Sequence, residues 1–302
     1  MKIKFYGTRG SFPTPSIPER NFYTNKYGGH TTSLYLATDS DERFIIDAGS
    51  GMRLLGQDLI SKGELSKGND RIKILLTHLH QDHIEGIPGF FPFYNPKNEF
   101  DIYSREEPRR LEEILSARQG SGVFPVRYLK GDQNDEPVMM AKKFHHSINN
   151  KVVNGKNGTK VTYEFTNHPN GCIAYKFEEN GKIFVFGGDH ECGNDFIDCN
   201  LKRFFNNVNL LVMDAQYFPE ETNPVKYNLK SVSKRGWGHS DYEQVVDFLL
   251  DIQPSTLVLT HHDPIHDDDK LDEMHDRLLV YARQMKLNSK IIIARDGLEL
   301  NL

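Results

Sequence analysis

The stretch "THLHQDHIEG", residues 77–86, places His78, His80, Asp82 and His83 within six positions. Imidazole and carboxylate together are a ligand set for zinc, and they also suit manganese or iron. With 13 histidines in 302 residues, three at these offsets arise by chance about once in 12,000 windows, before Asp82 is required. A solvated histidine-rich loop is therefore the weaker account. On an extended strand end, residues i and i+2 point the same way. His78 and His80 can then share one ion, while a turn redirects Asp82 and His83 toward a second. Further donors follow apolar runs downstream: His168 ends "KVTYEFTNH", Asp189 ends "KIFVFGGD" and His261 ends "STLVLTH". A single histidine at a strand end is more often structural. Four such ends converging at one edge would assemble a binuclear site.

The elements that must position these residues are legible in the pattern. "KIKFYG", "TTSLYLA", "RFIIDAG" and "RIKILLT" read as strands, and "GMRLLGQDLISKG" as a helix with a glycine stop. From residue 160 the strands resume, and Asn180-Gly181 marks a hairpin. "NLLVMDA" is a further buried strand. Ser240 with Glu243 reads as a capping box for a helix over 241–251. A strand over 256–260, a helix over about 268–286 and a strand over 290–294 complete the chain. Strands in both halves with helices interspersed predict an α/β architecture of two sheets packed face to face with helices outside. Residues 86–145 read differently. "GIPGFFPFYNPKNEF" is loop-like, "EEPRRLEEILSARQG" is a helix ended by Gly120, and the block has too few apolar residues for its own core. It is expected to be an insertion or cap beside the metal loop within one domain spanning 1–302.

Composition narrows the function. Net charge is −5 and 37% of residues are hydrophobic, as in a globular chain. No apolar run approaches the ~20 residues of a membrane helix, and "MKIKFYGTRG" lacks the apolar core of a signal peptide. A cytoplasmic location with no membrane association is expected. Cys172, Cys192 and Cys199 form no CxxC pair and read as reduced thiols. Short basic clusters, "PRR" at 108–110 and "SKRGWG" at 233–238, are isolated. They fit a small anionic substrate better than extended nucleic acid.

H-x-H-x-D-H followed by a downstream His, an Asp and a final His resembles the metallo-β-lactamase superfamily. The nearest likeness is to its phosphodiesterase branch, which holds RNase Z, cyclic-nucleotide phosphodiesterases and the carbon–phosphorus lyase accessory phosphodiesterase. "GTRGSFPTP", "YGGHTTS", "DAGSGMRLLG", "NHPNGCIAYKF", "GGDHE", "MDAQY", "RGWGHSDYEQVV" and "THHDPIHDDDKLDE" resemble a group of bacterial predicted metal-dependent hydrolases over nearly the whole chain. The resemblance implies an αββα sandwich, two mixed β-sheets packed face to face with helices on the outer faces. It implies two divalent ions, zinc first, with manganese or iron(II) as alternatives. His78, His80 and His168 would hold one ion, Asp82, His83 and His261 the other, and Asp189 would bridge. His190 and His262 are neighbours of ligands and are left out, and His145 and His146 match no motif. His30 stands where related sequences often carry Asn, near the floor of the site. Asp47 in "IIDAG" is read as the hydrogen-bond partner of a ligating histidine. His239 matches a non-ligand proton donor, with Asp214 to orient it. The branch is commonly dimeric, which implies a homodimer.

Two such ions about 3.5–4 Å apart acidify a water and clamp a phosphoryl oxygen, with Asp82 orienting or deprotonating the attacking water. The expected activity is a binuclear phosphodiesterase acting on a small or cyclic nucleotide. Two other readings compete: an RNase Z-like RNA processor, lactonase or thioesterase on the same scaffold, and a metal-containing sensor with little turnover. The acidic balance and the lack of a long basic Gly/Pro-rich arm weigh against RNA. Asp189 stands where β-lactamases proper often use Cys, and His80 where redox diiron relatives favour Glu. Phe90, Phe91, Phe93, Tyr94, Phe124 and Tyr128 are expected to pack the 86–145 segment onto the core rather than stack a base. Trp237 and Arg235 are candidates for substrate contact.

Overall fold

The computed structural model describes residues 1–65, 71–95, 97–119, 122, 124–126, 142–146, 153–154 and 158–302. In the first half lie β1 (Lys2–Gly7), β2 (Ser33–Ala37), β3 (Arg43–Ile46), α1 (Gly51–Ser61), β4 (Arg71–Leu75), β5 (Glu99–Ser104), α2 (Pro108–Arg118) and β6 (Lys142–His146). The second half holds β7 (Val153–Asn154), β8 (Lys160–Thr166), β9 (Cys172–Glu179), β10 (Lys182–Phe186), α3 (Asp195–Phe204), β11 (Leu210–Asp214), α4 (Pro219–Thr222), α5 (Tyr242–Leu249), β12 (Thr256–Thr260), α6 (Asp268–Gln284), β13 (Lys290–Ile293) and β14 (Glu299–Asn301).

Among the described residues the strands form two mixed sheets, ordered β14-β1-β2-β3-β4-β5-β6 and β13-β12-β11-β10-β9-β8-β7. Each changes partway from antiparallel to parallel pairing. The parallel stretch is β3 to β6 in the first sheet and β10 to β13 in the second. Ile3, Phe5, Leu36, Phe44 and Ile46 of the first sheet pack against Tyr175, Phe177, Phe184, Phe186 and Val258 of the second. On the outer face of the first sheet, Met52, Leu55 and Leu59 of α1 and Leu111 and Leu115 of α2 cover Ile45, Ile72, Ile74 and Ile102. Leu201, Val245, Leu249, Leu271, Met274 and Leu278 of α3, α5 and α6 cover the second sheet. This is the expected αββα sandwich. β12 shows why its sequence is a continuous apolar run: Leu257 and Leu259 meet the helices while Val258 meets the other sheet. A strand buried on both faces has no polar alternation to display. Asn180 (φ 51°) and Gly181 (φ 75°) both take left-handed backbone in the turn joining β9 to β10, as a two-residue type I′ hairpin requires.

Two local readings are corrected. The helix after His239 is capped by Asp241, not Ser240. The Asp241 side chain accepts from Gln244 N–H and the Gln244 side chain accepts from Asp241 N–H. Both S-x-x-E and D-x-x-Q fit the sequence; Ser240 Oγ is taken instead by Cys192 N–H and His190 O. Within 86–145, β5 and β6 are integral strands of the first sheet, and buried Phe90, Phe93 and Phe100 belong to its outer core. That part of the segment completes the sandwich rather than capping it. Phe91 is exposed, and Tyr94 donates to Pro88 O. Phe124 is half-buried, Tyr128 and Gly120 lie outside the described residues, and His145 and His146 end β6. Cys172, Cys192 and Cys199 are free thiols. Among the described residues no helix is long and apolar enough to cross a membrane.

Candidate metal centre

Parallel strands present their C-terminal ends on one edge, and the loops leaving those ends are where an α/β sandwich builds sites. The loop after β4 carries His78 and His80, then a single 3-10 turn, Gln81–His83, which supplies Asp82 and His83. His168 follows β8, Asp189 follows β10, Asp214 ends β11, and His261 directly follows β12. All seven expected ligands meet. Three overlapping groups, His78/His80/His168, His78/His83/Asp189 and Asp82/His83/His261, have donor atoms within 4.8 Å of one another. Asp189 Oδ2 is the hub, lying 3.5 Å from His78 Nε2, 3.3 Å from His83 Nε2, 3.7 Å from His168 Nε2 and 3.3 Å from His261 Nε2. Asp82 Oδ2 is 3.1 Å from His261 Nε2 and 3.3 Å from His83 Nε2.

The outward ring nitrogens fix which atoms face inward. His83 Nδ1 donates to Asp47 Oδ2 (2.8 Å), His168 Nδ1 to Gly238 O (2.9 Å) and His80 Nε2 to Asn170 Oδ1 (3.2 Å). His78 Nδ1 is 3.1 Å from Thr77 Oγ1, whose own proton goes to Asp47, so the ring nitrogen is the donor. Such outer partners set tautomer and ring orientation in metal sites. Asp47 reaches its place through left-handed backbone (φ 58°), a conformation that Asp tolerates better than most residues.

The donor set fits divalent cations. His80 Nδ1 and His168 Nε2 face each other at 3.0 Å, although both rings spend their N–H outward, so two lone pairs meet unless a cation lies between them. His78 Nε2 is buried without a hydrogen-bond partner. Burial pushes His78 well below its ordinary value and His168 down to about 4, so both present neutral imidazole nitrogen near neutrality. Burial also penalises the imidazolium of His83 and of His261. For His83 the carboxylates of Asp189, Asp82 and Asp47 outweigh that cost and raise it well above its ordinary value. For His261, Asp189 and Asp82 raise it to about 9. Burial opposes the charge on Asp82 and Asp189 too, yet the facing histidines hold both carboxyls well below the usual range. The cluster's carboxylates therefore favour positive charge at its centre.

His239 is at this centre, with one ring nitrogen engaged by a carboxylate. Its Nδ1 is 2.6 Å from Asp214 Oδ2, and its ring lies 4.8 Å from His261 and 5.0 Å from His168. Asp214, His239, Asp189 and His261 also fall within metal-binding distance as a group. We read Asp214 as an orienting group instead, because its oxygens already accept from His239, from Gln216 N–H (3.0 Å) and from His190 N–H (3.3 Å). The neighbours left out of the ligand set point elsewhere. His190 Nδ1 accepts from Asn167 N–H and its Nε2 faces Asp198; His262 Nε2 donates to Ala294 O; half-buried His30 meets Ser50 Oγ.

Several contributors were not apparent from sequence. Ser11 N–H donates to Asp82 Oδ2 at 2.7 Å from left-handed backbone (φ 61°). A Cβ at Gly10 would fall 2.3 Å from His261 Nδ1, so glycine is required there. Glu191 accepts from both Gly236 N–H and Gly238 N–H at 2.8 Å. Glu221, Asp263 and His266 form another cluster of ligand type, but Lys234 Nζ lies 2.8 Å from Glu221 and 2.7 Å from Asp263 and is its cation. A cavity of about 880 Å³ opens between α3 and α5, lined by residues including Asp198, Lys202, Arg235 and Phe248, and none of the seven expected ligands lines it.

A family model described as a beta-lactamase superfamily domain matches residues 42–262, a span that holds all seven donors. The chain belongs to that family. A ribonuclease Z from Natronomonas pharaonis is 27% identical over 154 residues, covering 48% of this chain and 42% of that protein. The chain spans about half the length, or less, of the first curated relatives it matches. Among solved structures, the metallo-beta-lactamase fold protein YhfI from Bacillus subtilis superposes with a TM-score of 0.66 at 17% identity, covering 99% of this chain and 98% of that one. The short form of human tRNase Z gives 0.58 at 19% identity, covering 100% and 99%. At these identities the structural likeness speaks for the fold. Family membership implies divalent metal, typically zinc.

Proposed function

We propose that the protein is a binuclear metal-dependent phosphodiesterase acting on a nucleotide phosphodiester. The observation that carries this reading is the His239–Asp214 pair, a 2.6 Å contact stacked against the ligand cluster. A proton donor beside a cation site is what a poor alkoxide leaving group needs, whereas a storage or sensing site has no use for one. His78, His80 and His168 would hold one ion, Asp82, His83 and His261 the other, with Asp189 between them. Zinc suits this His-rich set first. Two such ions supply positive charge that polarises a phosphoryl oxygen and acidifies water.

The chain's own groups do the rest. Asp82 is fixed by Ser11 N–H on Oδ2, which leaves Oδ1 to orient the attacking water or take its proton. His239, held through Nδ1 by Asp214, delivers a proton from Nε2 to the departing oxygen. Asp47 holds His83 and Gly238 O holds His168 in the tautomers that face inward. The acidic net charge favours a small or cyclic nucleotide. The similarity to proteins named ribonuclease Z favours a second reading, in which the diester lies in RNA. Zinc-loaded protein should hydrolyse bis(p-nitrophenyl) phosphate and leave p-nitrophenyl phosphate largely intact. Preferential cleavage of the monoester, of a lactone or of a β-lactam would overturn the proposal, and cyclic nucleotides assayed beside short RNA separate its two forms.

A further inference from the structure

The single tryptophan of the chain, Trp237, is 57% exposed two residues before His239. The backbone that carries it is fixed on both sides. Gly236 (φ 85°) and Gly238 (φ 94°) both take left-handed backbone, and the Glu191 carboxylate accepts one N–H from each at 2.8 Å. Trp237 N–H closes the turn on Lys234 O, and Lys234 is pinned by Glu221 and Asp263. Glu191 is itself fixed to the loop of His168, exchanging main-chain and side-chain hydrogen bonds with Asn167. A Cβ at Gly238 would fall 2.3 Å from Pro169 and 2.4 Å from His168 Nδ1, so the turn presses directly on the metal cluster. Two residues of chain span at most roughly 7 Å, which puts the base of the indole at the rim of the site.

The segment that carries the indole is basic in sequence, although Lys234 is paired with Glu221 and Asp263 and Lys226 lies 3.9 Å from Glu243. Residues 223–238 carry Lys226, Lys230, Lys234 and Arg235 and no acidic residue, in a chain whose net charge is −5. Arg235 is exposed. An exposed aromatic on a fixed turn, with an exposed arginine two residues before it, is the chemistry that receives a base and its phosphate. A simple phosphodiester without a base has no need of the face. Resting on the phosphodiesterase reading above, we propose that Trp237 is the platform on which the nucleobase of the substrate stacks, with Glu191 as the positioning residue that holds it at the mouth of the site.

As the sole tryptophan, Trp237 reports on itself. Adenosine 5′-monophosphate should quench its fluorescence in the wild-type protein, while ribose 5-phosphate, with the same phosphate and no base, should not. A short oligoadenylate quenching at far lower concentration than the mononucleotide would identify RNA as the source of the base; equal potency would identify a free nucleotide. In kinetics, Trp237→Ala should lower the preference for thymidine 5′-p-nitrophenyl phosphate over methyl p-nitrophenyl phosphate by roughly 5- to 150-fold, the worth of one stacked base, mainly through KM. Trp237→Phe should keep most of that preference. Glu191→Gln offers one acceptor oxygen in place of two. It should cost less than Trp237→Ala in the same direction and make the indole more accessible to acrylamide. Absence of quenching by both adenine ligands, or equal losses on the two esters in Trp237→Ala, overturns the proposal. Quenching by the nucleotide in a protein that hydrolyses neither ester would leave the stacking platform standing and overturn the phosphodiesterase reading.

Discussion

Removing the imidazole of His239 tests whether a proton is delivered to the leaving group. The ring is almost fully buried, stacked on His261 at 4.8 Å, and donates through Nδ1 to Asp214 at 2.6 Å. Only its Nε2 remains to face a substrate. General acid catalysis supplies ~10²–10⁴-fold where the leaving oxygen needs a proton. His239→Ala should therefore lose that much on a dinucleotide, whose leaving group is a ribose alkoxide. On bis(p-nitrophenyl) phosphate the loss should be far smaller, because p-nitrophenolate departs unaided. Asp214→Asn keeps a hydrogen bond but not the charge. A hydrogen bond to an ionised group is worth about 1.5–3 kcal/mol against about 0.5–1.5 for a neutral one. The difference of about 1–1.5 kcal/mol corresponds to roughly 5- to 15-fold, again confined to the poor leaving group. The assay is kcat/KM on both substrates with metal content measured on the same samples. Equal losses on the two esters, or loss of metal in His239→Ala, would refute the proton-donor role.

Asp189→Ala should disrupt both ion sites, because Asp189 Oδ2 faces imidazoles of each; a variant retaining two ions by metal analysis would show that the bridge assignment is wrong. Asp47→Asn should weaken metal binding about 10- to 100-fold, since the His83 ring loses its anionic partner at 2.8 Å. Asn accepts the left-handed backbone at that position, so the fold should survive, and a chelator competition that finds unchanged affinity would contradict the role. Asp296 gives a pH signature away from the cluster. Burial raises it to about 6 from 3.8, against hydrogen bonds from His30 N–H and Thr8. The folded state then binds the proton more tightly than the unfolded chain, so stability falls as pH rises from about 4 through about 6, by at most about 3 kcal/mol. Asp296→Asn should accordingly raise Tm more at pH 8 than at pH 4; an equal change at both would refute the assigned cause.

What could be read from sequence had local causes. The seven donors stood out because each follows an apolar strand, and a strand end is where a chain leaves the core. The Asn180-Gly181 hairpin was legible because its turn type demands two left-handed residues. The cap of α5 lies one position beyond the S-x-x-E motif because two capping motifs overlap there, and Cys192 and His190, some fifty residues away, decide between them by engaging Ser240. β5 carries no such local signal, because its pairing with β4 is parallel and its burial pattern lacks the alternation that marks a strand with one wet face. Glu191 could not be seen at all. Its role exists only where the loops after β10 and β11 meet, and nothing in "DHECG" announces a carboxylate that will clamp a turn forty-five residues later.

The distribution of the donors between the sheets has an energetic consequence. His78, His80, Asp82, His83 and their support Asp47 belong to the first sheet; His168, Asp189, His261 and the His239–Asp214 pair belong to the second. On the proposed assignment each ion takes ligands from both. Neither half can then hold an ion by itself, and each ion draws the two edges together across the sandwich. The same facing nitrogens repel one another unless a cation lies between them: His80 Nδ1 meets His168 Nε2 at 3.0 Å and His83 Nε2 meets His261 Nε2 at 3.2 Å. A ligand that binds only the folded state stabilises it, and here it also removes a repulsion built into that state. On that assignment the ligand-bearing edge is the least self-sufficient part of the interface between the sheets, whereas the apolar contacts of Phe44, Phe177, Phe184 and Val258 deeper in the sandwich join the sheets without it.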